Sequence, residues 1–210
     1  TLEVNSPNVG KTLARAEVPN DLAAAIVAIQ TELGTDPAGT KTDVKTFLQV
    51  QHGVDGTHLA GTFVQMVSNL SGAVATGTIL TPFDDTIPQV TEGDLYYTQA
   101  ITPKAAANAL IVMGFITAAH SVASTAVIGH IHQDGVADAI VADYNSVDST
   151  NGVTKLFFAT KITAGGVSPI TFTLRAGGHQ SGTLTVNGAT GSRKLGGVLR
   201  SGLLIYEVIA

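Results

Sequence analysis

The sequence predicts a mainly β protein, in which an antiparallel jelly-roll β-sandwich over residues 72–210 follows a short α-helical segment over residues 1–71. Two observations carry this prediction. The spacing of apolar residues is helical in the first third of the chain and changes to a period of two after residue 72. Short β-prone segments then alternate with Gly, Asn and Asp turn residues, which is typical of a sandwich or barrel.

The N-terminal segment contains an amphipathic pattern that predicts a helix ending before Gly34. Its apolar residues are spaced four, three and four apart, namely Leu22, Ile26, Ile29 and Leu33. Because a seam this short needs partners, we expect these four residues to take part in trimerisation, with ordinary packing on a neighbouring helix as the alternative. A second helix is predicted over residues 42–51, and residues 1–17 are expected to form an extended arm.

From residue 73 onward, the β-prone segments predict two sheets of about four strands each. The predicted strands cover residues 76–80, 94–101, 109–119, 124–132, 138–144, 154–163, 170–176, 183–187 and 203–209. Residues 59–70 mix polar and apolar side chains and predict either a strand or an extended connector. The apolar run 105–119 is too short for a spanning helix, so we interpret its centre as a strand buried on both faces.

The composition excludes several classes of protein. The 210 residues include no Cys, which excludes a disulfide scaffold, a Cys-based zinc module and a cysteine nucleophile. A net charge of −5 disfavours phosphate neutralisation, so we expect no nucleic-acid binding. Only 13% of the residues are charged at a mean hydropathy of +0.30, which is unusual for a soluble monomer. Since no segment predicts a signal peptide or membrane insertion, we expect the surplus apolar surface to be buried between subunits.

Two adjacent aromatic residues provide a candidate for that contact. Phe157 and Phe158 lie in a predicted strand and must point to opposite faces of it. We therefore expect one of them to fill the core of the domain and the other to join the trimer contact. A satellite core cluster under a loop is the alternative.

The motif His130-Ile131-His132 places two imidazoles on one face of a predicted strand. Three copies around an axis would bring six imidazoles together, which is a candidate octahedral site for a transition metal. No other cofactor is predicted. Because the turn residues Gln133-Asp134-Gly135 follow at once, the alternatives are solvated histidines at a strand end and direct contact with a ligand.

The same histidines are also compatible with a cupin-type metalloenzyme, in which His179 would act as the later ligand. The carboxylate expected after the second histidine is missing, since Val136 and Ala137 occupy that region. Two imidazoles without a carboxylate and a third imidazole make a poor metal site. The chain also lacks a nucleophile elbow and a phosphate-binding loop, so we expect no enzyme.

Several short motifs resemble those of bacteriophage tail-fibre and virion surface proteins. The early motifs are residues 28–39 and the His-Gly-Val-Asp-Gly-Thr-His element at 52–58. The later ones are residues 132–140, 174–177, 181–188 and 195–209, which resemble the trimeric heads of such fibres. These heads are jelly rolls similar to the tumour-necrosis-factor fold, and no catalytic residue is carried over from them.

The resemblance implies a non-enzymatic, homotrimeric virion protein whose partners are other virion proteins. As a short tail fibre it would join the baseplate or tail and contact a host saccharide or an outer-membrane component. As a capsid decoration or head-fibre protein it would use the same trimeric fold on the capsid, and the sequence leaves this alternative open.

Turn chemistry selects the loops expected to meet a receptor at one end of the head, because functional contacts concentrate on loops. These loops are residues 133–135, 148–152, 177–181 and 189–194. The candidate receptor-binding residues within them are Gln133, Asp134, His179, Gln180, Ser192 and Arg193.

Overall fold

The computed structural model describes residues 24–27 and 60–210. Residues 24–27 are helical, and the side chain of Ile26 is 48% exposed. The other predicted trimerisation residues of this segment (Leu22, Ile29 and Leu33), the second predicted helix and the predicted arm lie outside the described residues. No helix within the described ranges is long and apolar enough to cross a membrane.

The chain divides into two compact units, Thr1–Leu59 and Ala60–Ala210. Twelve strands form the second unit. They are β1 (Phe63–Ser71), β2 (Ala75–Gly77), β3 (Asp94–Ile101), β4 (Ala109–His120), β5 (Thr125–Gln133), β6 (Val141–Val147), β7 (Val153–Thr163), β8 (Ile170–Gly178), β9 (Leu184–Val186), β10 (Gly188–Ala189), β11 (Ser192–Arg193) and β12 (Ser201–Val208).

The strands form two packed antiparallel sheets and one small pair. Sheet A contains β1, β12, β4 and β7 side by side, and β9 and β2 extend it along the end of β4. Sheet B has the order β3-β8-β5-β6, and β10 pairs with β11. This arrangement is a jelly roll of the tumour-necrosis-factor-like type, which confirms the predicted fold class.

The boundary between the two units lies earlier than the predicted boundary at residue 72. Its physical reason is β1, which pairs with β12 from Phe63 opposite Val208 to Ser71 opposite Ser201. Residues 63–71 are therefore an integral strand of sheet A, which decides between the strand and the connector predicted for residues 59–70.

The core lies between sheets A and B. Its largest fully buried side chains include Phe172, Ile101, Leu110, Ile116, Ile131 and Leu156. Phe158 enters this core from β7 and occupies space left by two glycines, one on the neighbouring strand β4 and one on β5 of the opposite sheet. A Cβ atom added to Gly114 would lie 2.8 Å from the Phe158 ring, and one added to Gly129 would lie 3.0 Å from it. Phe158 therefore cannot keep its place opposite larger residues.

A buried asparagine holds the short loop between β1 and β2 against the sandwich. Asn187 is fully buried in a left-handed turn with φ of 58°. Its side-chain amide donates to the carbonyl oxygens of Ser71 at 2.8 Å and Ala73 at 2.9 Å. Its Oδ1 accepts a hydrogen bond from the Ser201 hydroxyl at 2.7 Å. These bonds satisfy a polar group whose burial would otherwise be costly.

A buried carboxylate fastens the opposite end of the sandwich. The Glu207 carboxylate accepts hydrogen bonds from the Lys104 backbone N–H at 2.8 Å, the Asn108 amide at 2.6 Å and the Gln65 amide at 2.5 Å. Burial acts to raise the pKa of Glu207, but these hydrogen bonds outweigh it and hold the pKa below its ordinary value.

Candidate functional site

The two histidines of the His-x-His motif lie on the outward side of sheet B, yet both are buried. His130 is 0% exposed and His132 is 1% exposed. The segment between β2 and β3, residues 78–93, covers them and is called the connection below. Within it, Thr81 is fully buried, and its Oγ1 lies 3.5 Å from His130 Nε2.

The connection is held against sheet B by hydrogen bonds to β8. The Arg175 guanidinium donates to the backbone oxygens of Glu92 at 3.0 Å and Gly93 at 2.8 Å. The Thr81 N–H donates to the Gly178 oxygen at 3.1 Å. A Cβ atom added to Gly177 would lie 2.5 Å from the Ile79 oxygen, so this close approach requires a residue without a side chain.

The two imidazoles hydrogen-bond to each other. His130 Nδ1 and His132 Nε2 are 2.7 Å apart, and the rings meet edge to face with centroids 4.9 Å apart. Only one of these nitrogens can carry the hydrogen of this bond, so at least one ring must be neutral. Burial, the facing imidazole of His132 and the guanidinium of Arg175 lower the pKa of His130 to about 3. Burial also lowers the pKa of His132, against the backbone carbonyls of Asp138 and Ala137, which favour its charged form.

This geometry contradicts the predicted six-imidazole metal site. Copies of a pair buried beneath the connection cannot meet on a three-fold axis. Among the described residues, no group of three or more His, Asp or Glu side chains could hold a metal ion. The alternative of solvated histidines is wrong as well, because neither ring reaches solvent.

The third histidine of the cupin interpretation does not join the pair. His179 Nδ1 accepts a hydrogen bond from the Ala126 N–H at 2.8 Å and lies 3.1 Å from the Thr125 hydroxyl. His130 lies four residues after Ala126 in β5, and four residues correspond to about 13 Å along a strand. The three imidazoles are therefore not arranged as ligands of one metal ion.

The candidate receptor-binding residues do not form one surface. Gln133 and Asp134 lie at the end of β5, where Gln133 pairs with Phe172. His179 and the exposed Gln180 lie near the start of β5, where the His179 N–H donates to the Ala126 oxygen. The exposed residues of β11, Ser192 and Arg193, follow Asn187, whose N–H binds the Thr117 oxygen near the end of β4. The expectation of one receptor-binding end therefore needs correction, because the first two residues lie at the opposite end from the other four.

Two exposed aromatic residues that the sequence did not single out form a pair, and one of them lies beside His179. The rings of Phe83, in the connection, and Tyr144, in β6, have centroids 4.5 Å apart at an angle of 53°. Phe83 also lies 6.0 Å from the His179 ring. Phe83 and Tyr144 are each 54% exposed. We call Phe83, Tyr144 and His179 the aromatic platform. The available signal was an aromatic residue within a Pro- and Asp-rich turn segment, where a core position is not expected.

The outward face of sheet A is mostly apolar across four strands. The strand registers place three rows of side chains on this face. These rows are Met66, Tyr206, Ile111 and Lys161; Ser68, Leu204, Met113 and Ala159; and Leu70, Gly202, Phe115 and Phe157. We call these three rows the sheet A surface. Nothing within residues 60–210 covers it in the way that the connection covers sheet B, and Phe157 is 61% exposed.

The alternation expected for the two phenylalanines is confirmed. Phe158 is 5% exposed and belongs to the core, whereas Phe157 lies on the sheet A surface. The inclusion of Phe158 among the trimerisation residues is therefore corrected, because its ring faces the interior. The role of Phe157 in a trimer contact stays a prediction.

Comparison with solved structures gives distant likenesses. The chain is similar to an Eiger TNF from S. frugiperda, at 9% identity and a TM-score of 0.36, over 70% of this chain and 94% of that chain. It is also similar to the VP2 subviral particle protein of infectious bursal disease virus, at 14% identity and a TM-score of 0.35, over 71% of this chain and 39% of that chain. At these TM-scores the likenesses say nothing about function or assembly. No curated protein sequence matches the chain.

The family comparison is more informative. The family model described as the Pgp3 C-terminal domain matches residues 69–210. The interpretation as a bacteriophage tail fibre or capsid decoration protein is wrong, and so is the virion location, because the matched family is chlamydial and not a phage family. The match covers the jelly roll from the last residues of β1 to β12 and more than half of the chain. The chain therefore belongs to the Pgp3 C-terminal domain family.

Proposed function

We propose that this jelly roll is a non-enzymatic head that assembles into a homotrimer through the sheet A surface, so that sheet B faces outward for binding. The single observation that carries the proposal is the apolar sheet A surface itself. Contiguous exposed apolar surface of this kind marks an interaction site.

The distribution of apolar and charged residues on that surface is typical of a subunit interface. Its centre is apolar, with Met113, Leu204 and Phe115 in adjacent strands. The base Lys161 lies at the margin, in the edge strand β7. An apolar centre with a polar rim is the usual anatomy of a subunit contact.

A second copy of the same chain is the occupant that best fits the composition. The low charge and positive mean hydropathy favour burial of apolar surface between subunits, and most soluble oligomers are closed symmetric homo-oligomers. The sequence predicts three copies, because tumour-necrosis-factor-like jelly rolls of the kind it resembles are trimers. Three sheet A surfaces around one axis would cover one another without leaving an open edge.

Sedimentation equilibrium with a matched pair of variants tests this proposal. The wild-type chain is expected to sediment at three times its mass of 21.4 kDa. Phe157→Lys is expected to dissociate the particle, since it places a charge at the most exposed large apolar side chain of the sheet A surface. Val167→Lys changes a similarly exposed residue (60%) elsewhere and leaves the trimer intact. A wild-type monomer, or a Phe157→Lys variant that stays trimeric, would contradict the proposal.

A further inference from the structure

The aromatic platform remains on the outward side of sheet B, opposite the sheet A surface. The rings of Phe83 and Tyr144 contact each other, yet each residue keeps about half of its surface in solvent. Rigid aromatic side chains supply a large apolar contact area at a low entropic cost, and the tyrosine hydroxyl adds a hydrogen-bonding group at the rim. The platform therefore favours a ligand with one flat apolar face and polar edges.

Oriented hydrogen-bonding groups lie beside the rings. Because the Ala126 N–H donates to His179 Nδ1, the hydrogen of the neutral imidazole lies on Nε2. The nitrogen of the Gln180 side-chain amide donates to the Ser124 carbonyl oxygen at 3.3 Å. It lies 3.4 Å from His179 Nε2, but both groups are donors, so each keeps a hydrogen for another acceptor, and Gln180 itself is exposed. The ring N–H of His179 thus lies beside the Phe83 ring, with the Gln180 amide next to it.

The charge next to the platform is negative. Asp84 and Asp85 follow Phe83 directly, and both are exposed. The Asp84 carboxylate is ionised, since hydrogen bonds from the Thr86 hydroxyl and N–H lower its pKa. This charge disfavours an anionic ligand at the same place.

We propose that the aromatic platform is a binding site for a neutral hexopyranose ring. The C–H face of the sugar stacks on one of the two rings, and the other ring, tilted by 53°, contacts the edge of the sugar. The hydroxyl groups of the sugar bind His179 Nε2 and the Gln180 amide. Sugar rings combine a flat apolar face with a rim of groups that both donate and accept, which matches the platform and its edge. The inference goes beyond the proposed function and does not depend on trimer formation, because every residue of the site belongs to one chain.

Saturation-transfer NMR on the full chain tests the site. The probes are the methyl glycosides of glucose, galactose, mannose and N-acetylglucosamine, with the methyl glycoside of N-acetylneuraminic acid as the anionic comparison. At least one neutral probe is expected to bind with a dissociation constant of about 1 mM, and the anionic probe is not. Binding should shift the nitrogen resonance of His179 Nε2 and leave that of Nδ1 in its hydrogen bond to Ala126.

Variants locate the binding. Phe83→Ala and Tyr144→Ala are each expected to weaken binding about tenfold. Val198→Ala removes an apolar side chain that is 79% exposed elsewhere and leaves the affinity unchanged. The Phe157→Lys variant separates the two proposals, because it is expected to bind the sugar as a monomer.

Three results would overturn the site. The first is no binding of any neutral probe. The second is neutral-probe binding that neither Phe83→Ala nor Tyr144→Ala weakens, which would place the sugar elsewhere. The third is binding of the neuraminic acid glycoside as strong as that of the neutral probes. Failure of the trimer in sedimentation, with sugar binding intact, would remove the assembly proposal alone.

Discussion

The outward surfaces of sheets A and B differ in whether a segment of the same chain covers them. Sheet B carries His130, His132 and Arg175 on its outward side, and the chain itself covers them with the connection. Sheet A carries Met113, Phe115 and Leu204 on its outward side, and no described segment of the chain lies over them. The polar surface is thus buried within the subunit, and the apolar one is left for another molecule. The contrast shows that the cover, rather than the polarity of a strand, decides which surface is free.

The largest expected effect separates two neighbouring residues of β7. Phe158→Ala should lower the free energy of unfolding by about 3–5 kcal/mol, because it leaves a cavity beside Gly114 and Gly129. Phe157→Ala should change the stability of the isolated subunit by less than about 0.5 kcal/mol, yet weaken the trimer. Urea unfolding of both variants at low protein concentration measures the difference. Equal losses would show that the two rings do not face opposite environments.

Acid should act on the covered surface before it acts elsewhere. In the unfolded chain His130 titrates near its ordinary pKa of 6.5, whereas in the folded chain its pKa is about 3. The stability that the neutral ring contributes is therefore complete above pH 6.5 and is lost as the pH falls towards 3, by at most about 1.4 kcal/mol per pH unit. The lowered pKa of His132 acts in the same direction.

Two variants test whether this loss of stability comes from His130 or from Glu207. His130→Gln should flatten the decline between pH 6.5 and 4.5, as measured by urea unfolding at several pH values. Glu207 also has a lowered pKa, but its contribution is complete above its ordinary value of 4.5 and is lost only below it. Glu207→Gln should therefore leave the slope above pH 4.5 unchanged. An unaltered slope in His130→Gln would contradict the role of the buried pair.

Weakening the hydrogen bonds that hold the connection should expose the outward surface of sheet B to solvent more often. Arg175→Gln removes the charge-assisted hydrogen bonds to the oxygens of Glu92 and Gly93, at a cost of about 2 kcal/mol. Hydrogen exchange at the Thr81 and Gly93 N–H groups should accelerate accordingly. Arg200→Gln, at an exposed arginine, serves as the control and should leave both rates unchanged. Equal protection in the two variants would show that Arg175 does not hold the connection.

The smallest effect is expected at the rim of the sheet A surface. Lys161 lies at the margin of the apolar rows, and an exposed charge contributes at most about 1 kcal/mol. Lys161→Gln should therefore change the trimer dissociation constant far less than Phe157→Lys does. Sedimentation at two salt concentrations measures both. A Lys161→Gln variant as disruptive as Phe157→Lys would mean that the contact is not centred on the apolar rows.

The strands were predictable from sequence wherever their own residues carry the pattern. The predicted strand over residues 94–101 has the observed bounds of β3, and the predicted strand 154–163 begins one residue after β7 does. The alternation of Phe157 and Phe158 also followed from the period of two alone. β1 was left undecided because Gln65, Ser68 and Asn69 interrupt its apolar pattern, and its partner β12 lies at the other end of the domain.

The surfaces were harder to predict because each depends on a distant segment. The sequence shows that His130 and His132 share a strand face, but the burial of that face depends on Thr81 and the rest of the connection. The aromatic platform likewise needs Phe83 to reach across to Tyr144 and His179. Local spacing contains no information on such contacts, which arise from the closure of the sandwich.

Thiol accessibility tests the central claim about the two surfaces most directly. The chain contains no Cys, so Ala159→Cys on the sheet A surface and Ala142→Cys in β6 of sheet B each provide a unique thiol, and both alanines are exposed in the single subunit. The account predicts that maleimide labels Ala142→Cys rapidly at every protein concentration, whereas the thiol of Ala159→Cys becomes protected as the concentration rises. Equal and concentration-independent labelling of the two thiols would contradict it.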